Sequence, residues 1–415
     1  MSETVRSSGA PAAPVSLADV QAARVRLGTA IAFTPCPESI PLSEITGARV
    51  FCKLDSFQRT GSFKERGARN ALLLLSAAQR ARGVIAASAG NHALGLAYHG
   101  SLLGVPVTVV MPRFAPLIKV ATCRRLGASI VQHGETFQEA REHAGTLAAS
   151  QGLTYIHGYD DPAIIAGQGT LALEVLEQVP DLEAIVVPIG GGGLIAGVSL
   201  VIKALRPEVR VIGIEPALTQ CFHAASAAGH PVKVAIRPTV ADGLAVSLAG
   251  ENAFALARPR IDHLLTVSEE FLALAILRMV ELEKLVVEGA AAAPLAAMLS
   301  GQLPQLAGRR TVLVLGGGNI DPAVLGRVIE KGLVADGRLA RFTAVISDRP
   351  GGLATLAGAI GQAGASIKEV THDRAFSGPD VNAVRVVVTV ETRDRDHYAA
   401  LLAALAASGI PTAPV

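Results

Sequence analysis

Residues 184–202 read AIVVPIGGGGLIAGVSLVI and carry no charged side chain. The run has about the length of a membrane-spanning helix. Four consecutive glycines and Pro188 make it a poor single helix, because glycine and proline both disfavour the helix interior. We therefore interpret the run as a buried strand, a glycine turn and a buried helix, and we expect a soluble protein.

Strands and helices alternate on both sides of this run, from about residue 48 to residue 332. Apolar, β-branched runs of strand length occur at 48–55, 83–88, 105–112, 128–133, 154–158, 184–189, 209–216 and 311–316. Helical stretches between them include 64–76, 91–103 and 116–126. Continuously apolar strands separated by helices are typical of a parallel sheet covered on both faces, so the expected fold class is α/β.

The composition is that of a well-buried globular protein. The chain has 415 residues, which suggests two to three domains, and 50% of them are hydrophobic against 17% charged. This excludes a largely disordered or collagen-like chain. The 37 basic residues nearly balance the 35 acidic ones, aromatic residues are 4%, and tryptophan is absent, so we expect no nucleic-acid partner.

The termini and the cysteines bear on location. The polar start of the chain, MSETVRSSGAPAAPVS, lacks the apolar core of a signal peptide, and we expect residues 1–15 to be a disordered tail. The four cysteines are far apart and form no CxxC pair, which indicates free thiols. The expected location is cytoplasmic, with no membrane partner.

The pattern changes near residue 333. We expect a catalytic α/β domain over 16–332, a polar linker over 333–341, and a second domain over 342–415. In that second domain a strand, a helix from Pro350 to Ala363, two strands, a helix from Asp394 to Ala407 and a short last strand give the order β-α-β-β-α-β. This order is typical of a ferredoxin-like module.

Three glycine-rich turns each follow an expected strand and open a helix, at Ser88–His92, Gly190–Gly193 and Gly316–Asn319. Such strand ends are where open α/β sheets bind ligands. The tetraglycine at a helix start exposes successive backbone N–H groups and is suited to a phosphate. It is neither a Walker loop nor a GxGxxG motif, since no Lys-Ser/Thr follows and Ile195 stands where the last glycine should be.

Lys64 lies in QRTGSFKERGARNALLLL, where we expect Ser62 to cap a helix and Lys64 to fall in its first turn. A cation is disfavoured at that end of the helix dipole, which lowers an ammonium pKa. An isolated lysine there is ordinarily a solvated surface residue. The alternative is a lysine held partly neutral for Schiff-base chemistry.

Six motifs and the tail carry a family resemblance. SFKERGARN, SAGNH, GQGT (167–170), GGGGLIAG, VEGA (287–290) and GGGNID occur in the order seen in PLP-dependent serine/threonine dehydratases of fold type II. The segment that begins at ISDRPGG resembles an ACT domain as fused to threonine dehydratases. The resemblance implies two parallel or mixed sheet subdomains, the smaller over about 48–153, and an ACT-like regulatory domain at 342–415.

The resemblance also implies roles for individual residues. Lys64 would hold pyridoxal 5'-phosphate covalently and then move the Cα proton, with Phe63 packed on the pyridine ring and Asn91 bonded to the ring 3-hydroxyl. The catalytic residues implied are Lys64 and Ser88. The substrate-binding residues implied are Ser88, Ala89, Gly90, Asn91 and His92.

The remaining cofactor contacts implied are Gly190, Gly191, Gly192, Gly193, Leu194, Glu288 and Gly316. The glycines and Leu194 would hold the phosphate through backbone N–H groups, and Glu288 would lie near the ring. An acid at this loop-to-helix turn has an equally ordinary structural explanation.

The sequence departs from the family pattern at three positions. Gly316 stands where Ser or Cys usually faces the pyridine nitrogen, so it offers that nitrogen no side chain. Ala89 stands where serine racemases carry a second Ser, which counts against racemisation. Cys221 stands where some relatives have a metal-binding acid after Glu215, so we expect no metal site.

The expected activity is that of an ammonia-lyase, which converts L-threonine, and also L-serine, to 2-oxobutanoate or pyruvate and ammonia. Two alternatives stay open: a dehydratase of 3-hydroxyaspartate or another β-hydroxy amino acid, and an amino-acid sensor with an inert PLP domain. The role is in isoleucine biosynthesis or threonine catabolism. We expect an amino-acid effector at the ACT-like domain, and a homodimer or homotetramer.

Overall fold

The computed structural model describes residues 15–373 and 383–415, so most of the expected tail 1–15 lies outside the described residues. The chain divides into two compact units after Ile320. Within the described ranges no helix is long and apolar enough to cross a lipid bilayer.

Unit 1 contains thirteen α-helices and ten strands among its described residues. The helices are α1 (Leu17–Leu27), α2 (Ile40–Thr46), α3 (Lys64–Leu73), α4 (Ala77–Arg82), α5 (Asn91–Leu103), α6 (Leu117–Arg125), α7 (Phe137–Gln151), α8 (Pro162–Gln178), α9 (Gly193–Leu205), α10 (Cys221–Ala228), α11 (Glu251–Ala257), α12 (Glu269–Arg278) and α13 (Gly289–Leu299). The strands are β1 (Glu38–Ser39), β2 (Arg49–Lys53), β3 (Val84–Ala87), β4 (Val107–Met111), β5 (Ser129–Gln132), β6 (Thr154–Tyr155), β7 (Ala184–Pro188), β8 (Arg210–Pro216), β9 (His263–Val267) and β10 (Arg310–Val314).

These strands form two sheets, and the expected α/β class is confirmed. The larger sheet has the order β1-β2-β10-β7-β8-β9, and its neighbours are parallel apart from β1, which is antiparallel to β2. The smaller sheet, β5-β4-β3-β6, is entirely parallel. Every residue of β3 and of β7 is buried, which explains why these strands read as continuous apolar runs.

The stretch 184–202 folds as expected, as strand β7, a glycine turn and most of helix α9. The expected boundary of the smaller subdomain at residue 48 is wrong, because β2 pairs along its whole length with β10 in the larger sheet. Residues 154–155 pair with β3 and extend the smaller sheet past residue 153. Strands β1 and β9 were not expected from the sequence.

The start of α3 is held by buried ion pairs. Arg66 contacts Asp55 at 2.6 Å and Glu174 at 2.7 Å, and Lys53 contacts Glu174 at 2.6 Å, with all four side chains buried. Removing one member of such a network leaves an uncompensated buried charge and costs about 3–5 kcal/mol. The network therefore fixes the position of Lys64, one turn or less away along the chain.

Ser62 does not cap α3, contrary to expectation. The residue that precedes the helix is Phe63, it lies in the right-handed helical region, and it makes no side-chain capping bond. The backbone carbonyl of Ser62 instead accepts from the N–H of Glu65 at 3.4 Å, and its hydroxyl is buried without a hydrogen-bond partner in the described chain. Lys64 nonetheless begins the helix, as expected.

Unit 2 contains α14 (Pro322–Ala335), β11 (Leu339–Ser347), α15 (Gly352–Gln362), β12 (Ser366–Asp373), β13 (Ala383–Glu391), α16 (Arg395–Ala407) and β14 (Thr412–Pro414). Its strands form an antiparallel sheet in the order β12-β13-β11-β14. After α14 the order of elements is β-α-β-β-α-β, as expected for a ferredoxin-like module. Its core residues all come from the unit's own strands, helices and turns.

Two details of unit 2 differ from expectation. The linker expected at 333–341 is shorter, because α14 continues to Ala335 and β11 begins at Leu339. The helix expected from Pro350 begins at Gly352, since Gly351 has φ +100° and ends the turn in the left-handed region. A Cβ on Gly352 would collide with the carbonyl of Ser347, so a glycine is needed where α15 begins against the end of β11.

Candidate active site

A cleft of about 370 Å³ in unit 1 is lined by the three glycine-rich turns and by the start of α3. The turns follow β3, β7 and β10, and their meeting at the carboxyl ends of parallel strands is the usual place for a ligand. The lining includes every site residue expected from the sequence, namely Phe63, Lys64, Ser88, Ala89, Gly90, Asn91, His92, Gly190, Gly191, Gly192, Gly193, Leu194, Glu288 and Gly316.

Lys64 extends from the first turn of α3 into the cleft. Its Nζ donates to the carbonyl oxygen of Gly158 at 2.6 Å and lies 5.3 Å from the centroid of the Phe63 ring. Burial lowers the pKa of Lys64 to about 8, although the negative charge of Glu288 acts in the opposite direction. A large fraction of the amine is therefore neutral at mildly alkaline pH, which a nucleophilic or proton-accepting lysine requires.

The tetraglycine loop is packed so closely that it leaves no room for side chains. A Cβ on Gly191 would collide with the Tyr159 ring, and one on Gly193 would collide with the Tyr159 carbonyl. A Cβ on Gly190 would lie 3.1 Å from the Cα of Leu244, and Gly192 has φ +97°, which other residues rarely adopt. Each glycine thus has a steric reason of its own, independent of any ligand.

The same loop presents free donors to the cleft. In the part of the chain that the structure describes, the backbone N–H groups of Gly191–Leu194 donate to no protein acceptor. They lie at the N-terminus of α9, where the helix dipole is positive. A phosphate placed here would satisfy these donors.

Asn91 and Glu288 form the polar wall beside Gly317. The Asn91 Nδ2 donates to both carboxylate oxygens of Glu288, at 2.8 and 3.1 Å. The Asn91 Oδ1 accepts from the Nδ2 of Asn319 at 2.8 Å. Burial raises the pKa of Glu288 to about 7, and the nearby charge of Asp242 adds to this, while the Asn91 bond lowers it. Glu288 can therefore hold or release a proton near neutral pH.

Some of the hydrogen-bonding groups of the Ser88–His92 turn are already bonded within the protein, and others are free. The Ser88 hydroxyl accepts from the Gly90 N–H at 3.3 Å, so that N–H is not free for a substrate. His92 is buried against the carbonyl of Ile156 at 3.2 Å, and burial lowers its pKa to about 3, so its ring is neutral. The backbone N–H groups of Asn91 and His92 have no partner among the described residues.

Several cleft residues were not expected from the sequence. They are Lys119, Phe137, Arg141, Tyr155, His157, Gly158, Tyr159, Asp242, Gly243, Leu244 and Asn319, among others. Lys119 and Asp242 form an ion pair of 3.2 Å at the cleft. Asn319 belongs to the GGGNID motif, so its position in that motif was the available signal. The others lie outside the quoted motifs.

Gly316 faces the Phe63 ring. A Cβ at Gly316 would lie 2.9 Å from Phe63 Cδ1 and 3.4 Å from Cε1. The obstacle is a side chain that can shift by a few tenths of an ångström, whereas a backbone obstacle could not.

We expect Gly316→Ser to fold and to retain PLP during dialysis, and to bind it more tightly than Gly316→Ala. Both variants displace Phe63 equally. The family resemblance places this position at the pyridine nitrogen, where only serine would offer a hydroxyl, worth about 1 kcal/mol. Equilibrium dialysis of the two variants checks this. If serine binds PLP no better than alanine, the hydroxyl has no partner and our account of this turn is wrong.

Glu215 lies near the glycine loop but its carboxylate is already occupied. It accepts from the N–H groups of Phe222 and His223, at 2.7 and 2.9 Å, and contacts the His223 Nδ1 at 2.6 Å. The Cys221 thiol donates to the carbonyl of Gly190 at 3.3 Å. Within the described ranges no group of three or more His, Cys, Asp or Glu residues is arranged to hold a metal ion.

Comparisons with known proteins agree with this geometry. Residues 27–317 match a family model described as pyridoxal-phosphate dependent enzyme. An L-threonine ammonia-lyase of Thermotoga maritima is 40% identical over 395 residues, which cover 95% of this chain and 98% of that protein. An L-threonine ammonia-lyase of Geobacter sulfurreducens is 43% identical over 390 residues, which cover 94% and 97%. The solved structure of the processed form of threonine deaminase isoform 2 from Solanum lycopersicum is 35% identical with a TM-score of 0.73, and the match covers 77% of this chain and 95% of that one.

Proposed function

This chain belongs to the pyridoxal-phosphate dependent enzyme family, and from this premise we propose that it is an ammonia-lyase that dehydrates L-threonine. The products are 2-oxobutanoate and ammonia, and L-serine gives pyruvate and ammonia by the same route. The observation that carries the proposal is the convergence of Lys64, Asn91 and Gly190–Gly193 on one cleft. The two L-threonine ammonia-lyases support the substrate, since each matches at least 94% of this chain.

The residues of the cleft fit the cofactor. The free N–H groups of Gly191–Leu194 suit a phosphate, Phe63 offers an aromatic face, and Lys64 offers an amine whose pKa is lowered to about 8. We assign the phosphate to this loop, the covalent bond to Lys64, and the ring 3-oxygen to Asn91. When bound, PLP withdraws the electron pair left at Cα, which allows the β-hydroxyl to depart.

Lys64 takes the proton of the substrate Cα, and the β-hydroxyl leaves with a proton as water. Its Nζ is held toward the cleft by the Gly158 carbonyl, 2.6 Å away, and by the packing of α3. A fully charged ammonium could not accept a proton, so the lowered pKa is what fits Lys64 to this role.

The Ser88–His92 turn binds the substrate carboxylate. The free N–H groups of Asn91 and His92 begin helix α5, whose positive end favours an anion. The charged residues of the cleft wall are Lys64, Lys119, Arg141, Asp242 and Glu288. Apart from Lys64, which we assign to the cofactor, two cations face two acids, and because burial raises the pKa of Glu288 to about 7 the balance favours anionic ligands.

The test of the proposal is a steady-state comparison of L-threonine, L-serine and 3-hydroxyaspartate with the purified holoenzyme. We expect the largest kcat/KM for L-threonine, with 2-oxo acid and ammonia formed in equal amounts. A larger kcat/KM for 3-hydroxyaspartate would show that this compound, and not L-threonine, is the preferred substrate. No turnover of any of the three by a PLP-loaded enzyme would favour the sensor alternative.

Ala89→Ser tests the reaction type. Ala89 lines the cleft and carries no proton donor. The resemblance implies that serine racemases use a serine hydroxyl at this position, as the acid or base on the face opposite the lysine. We expect Ala89→Ser to keep dehydration within about fivefold, since a single buried hydroxyl is worth about 1 kcal/mol or less here. It should increase the D-serine formed from L-serine, as measured by chiral chromatography. No increase would mean that this position alone does not limit racemisation.

Unit 2 serves regulation in our proposal, as an ACT-like domain that binds an amino-acid effector. Among the described residues, the core cluster of unit 2 draws only on that unit, and every residue that lines the cleft lies in unit 1. The chemistry therefore does not draw on unit 2 directly.

We expect a chain that ends after Ala335 to bind PLP and eliminate water, but to lose any response to a branched-chain amino acid. Titrating valine and isoleucine into full-length and shortened protein, with activity as the readout, separates this from a purely architectural role. If neither amino acid affects the full-length enzyme while shortening dissociates the oligomer, the regulatory role is excluded.

A cytoplasmic location and an assembly of two or four subunits belong to the same proposal. Cys36, Cys52, Cys123 and Cys221 are all free thiols, as expected of a reducing compartment. In unit 2, β12 and β14 are edge strands of the described sheet, and edge strands can pair with a second copy.

A further inference from the structure

The Asn319 side chain, at the cleft wall, donates to two acceptors at once. Its side-chain Nδ2 donates to the carbonyl of Thr60 at 2.7 Å and to the Oδ1 of Asn91 at 2.8 Å. Its main-chain N–H also acts on the carboxylate of Glu288, whose pKa it lowers. Asn319 thus contacts both members of the Asn91–Glu288 pair.

The backbone carbonyl of Thr60 fixes the orientation of the Asn319 and Asn91 side-chain amides. A backbone carbonyl can only accept, so the end of the Asn319 amide that faces it must be the nitrogen. The same nitrogen faces Asn91, and therefore the end of the Asn91 amide that it meets must be the oxygen. The Asn91 nitrogen is then turned toward Glu288 and the interior of the cleft.

Gly61 makes room for this arrangement. It has φ +77°, and a Cβ there would lie 2.6 Å from the Asn319 Oδ1. The Asn319 oxygen therefore packs on the bare backbone of Gly61 while its nitrogen reaches Thr60, so sterics and hydrogen bonding select the same orientation of the amide.

We propose that Asn319 is a positioning residue, which orients the Asn91 amide so that its N–H groups face the cofactor's ring oxygen. Without Asn319, only the bond to Glu288 would keep the Asn91 amide from rotating by 180° and presenting an oxygen, which would repel that oxygen atom. Asn319 prevents this rotation by occupying the Asn91 oxygen. The inference rests on the proposed role of Asn91 in holding PLP.

A double-mutant cycle on PLP affinity tests the proposal. The four proteins are the wild type, Asn91→Ala, Asn319→Ala and the double variant, each measured by equilibrium dialysis of the apoenzyme against PLP. We expect Asn319→Ala to weaken binding about tenfold in the wild-type background, and less than about twofold when Asn91 is already alanine.

Two further variants separate orientation from packing. Asn319→Asp keeps the size of the side chain but removes the N–H groups, so we expect it to weaken PLP binding at least as much as Asn319→Ala. Asn70→Ala is the matched control, because the Asn70 Nδ2 also donates to a backbone carbonyl, that of Ala163 at 2.7 Å, and Asn70 does not line the cleft. We expect it to change PLP affinity less than about twofold.

Additive effects in the cycle, or wild-type affinity in Asn319→Asp, would overturn this proposal while leaving the role of Asn91 intact. Wild-type affinity in Asn91→Ala would overturn both the role of Asn91 and this proposal. Neither result would affect the proposed reaction, which is tested by product formation.

Discussion

Lys64→Ala is expected to lower kcat for L-threonine by at least about a thousandfold, since proton transfer and covalent attachment both depend on this side chain. In the described part of the chain no other lysine begins a helix inside the cleft; the second lysine of its lining, Lys119, is paired with Asp242. Alanine also leaves the Gly158 carbonyl without the donor that it has at 2.6 Å. The measurement is the rate of 2-oxobutanoate formation, together with the visible absorption of the purified variant.

Lys119→Ala is the matched control for this prediction. It removes a lysine from the same cleft, so it reproduces the loss of a positive charge without the loss of the reacting amine. We expect it to act mainly on KM, because its ion pair with Asp242 is partly exposed and worth about 1 kcal/mol or less. Turnover by Lys64→Ala within tenfold of the wild type would show that another group performs the chemistry.

Gly193→Ala is expected to lower PLP affinity at least about a hundredfold. The added Cβ would collide with the backbone carbonyl of Tyr159, which cannot turn away as a side chain could. The loop must then move, and the N–H groups of Gly191–Leu194 no longer converge; the loss of two such bonds to a charged group accounts for about 3 kcal/mol. The adjoining residue Gly158 holds Lys64, so its position is disturbed as well.

The appropriate measurement is the rise in melting temperature on adding PLP to the apoenzyme, which reports binding to the folded state. Gly145→Ala, in α7, is the control, because a Cβ there meets no atom within 4 Å. We expect that variant to be as stable as the wild type or slightly more so. If the Gly193→Ala protein shows the same rise in melting temperature as the wild type, the phosphate of PLP does not bind at this loop.

The sequence predicted most strands because so many of them are buried on both faces. β3, β7 and β10 are continuous apolar runs, and the glycine turns after them mark the cleft. β1 was missed because it has only two residues. β9, with the sequence HLLTV, was missed because it is a short run that contains two leucines rather than a continuous β-branched segment, and only Val267 in it is fully buried.

The order of strands along the chain could not show which sheet each strand joins. β2 lies next to β3 in sequence, yet it pairs with β10, more than 250 residues later. Such a pairing depends on the path of the chain between the two strands, which periodicity does not record. The boundary of the smaller subdomain was wrong for this reason.

The site residues were predictable where a motif contains them and not elsewhere. Lys64, Asn91 and Glu288 lie in motifs, and the structure brings all three to one cleft. Tyr159 lies outside every quoted motif, although it explains why Gly191 and Gly193 must be glycine. Its role depends on a close approach of two loops, and no pattern within either loop encodes that approach.

The proposed chemistry of this cleft depends on covalent attachment of the cofactor to Lys64. Borohydride reduction of the purified holoenzyme makes a lysine–pyridoxal bond permanent, and mass spectrometry of the digested protein then locates it. We predict the phosphopyridoxyl group on the peptide that contains Lys64, in proportion to the visible absorption lost on reduction. A label on Lys119 or on any other lysine, with Lys64 unmodified, would show that Lys64 does not carry the cofactor.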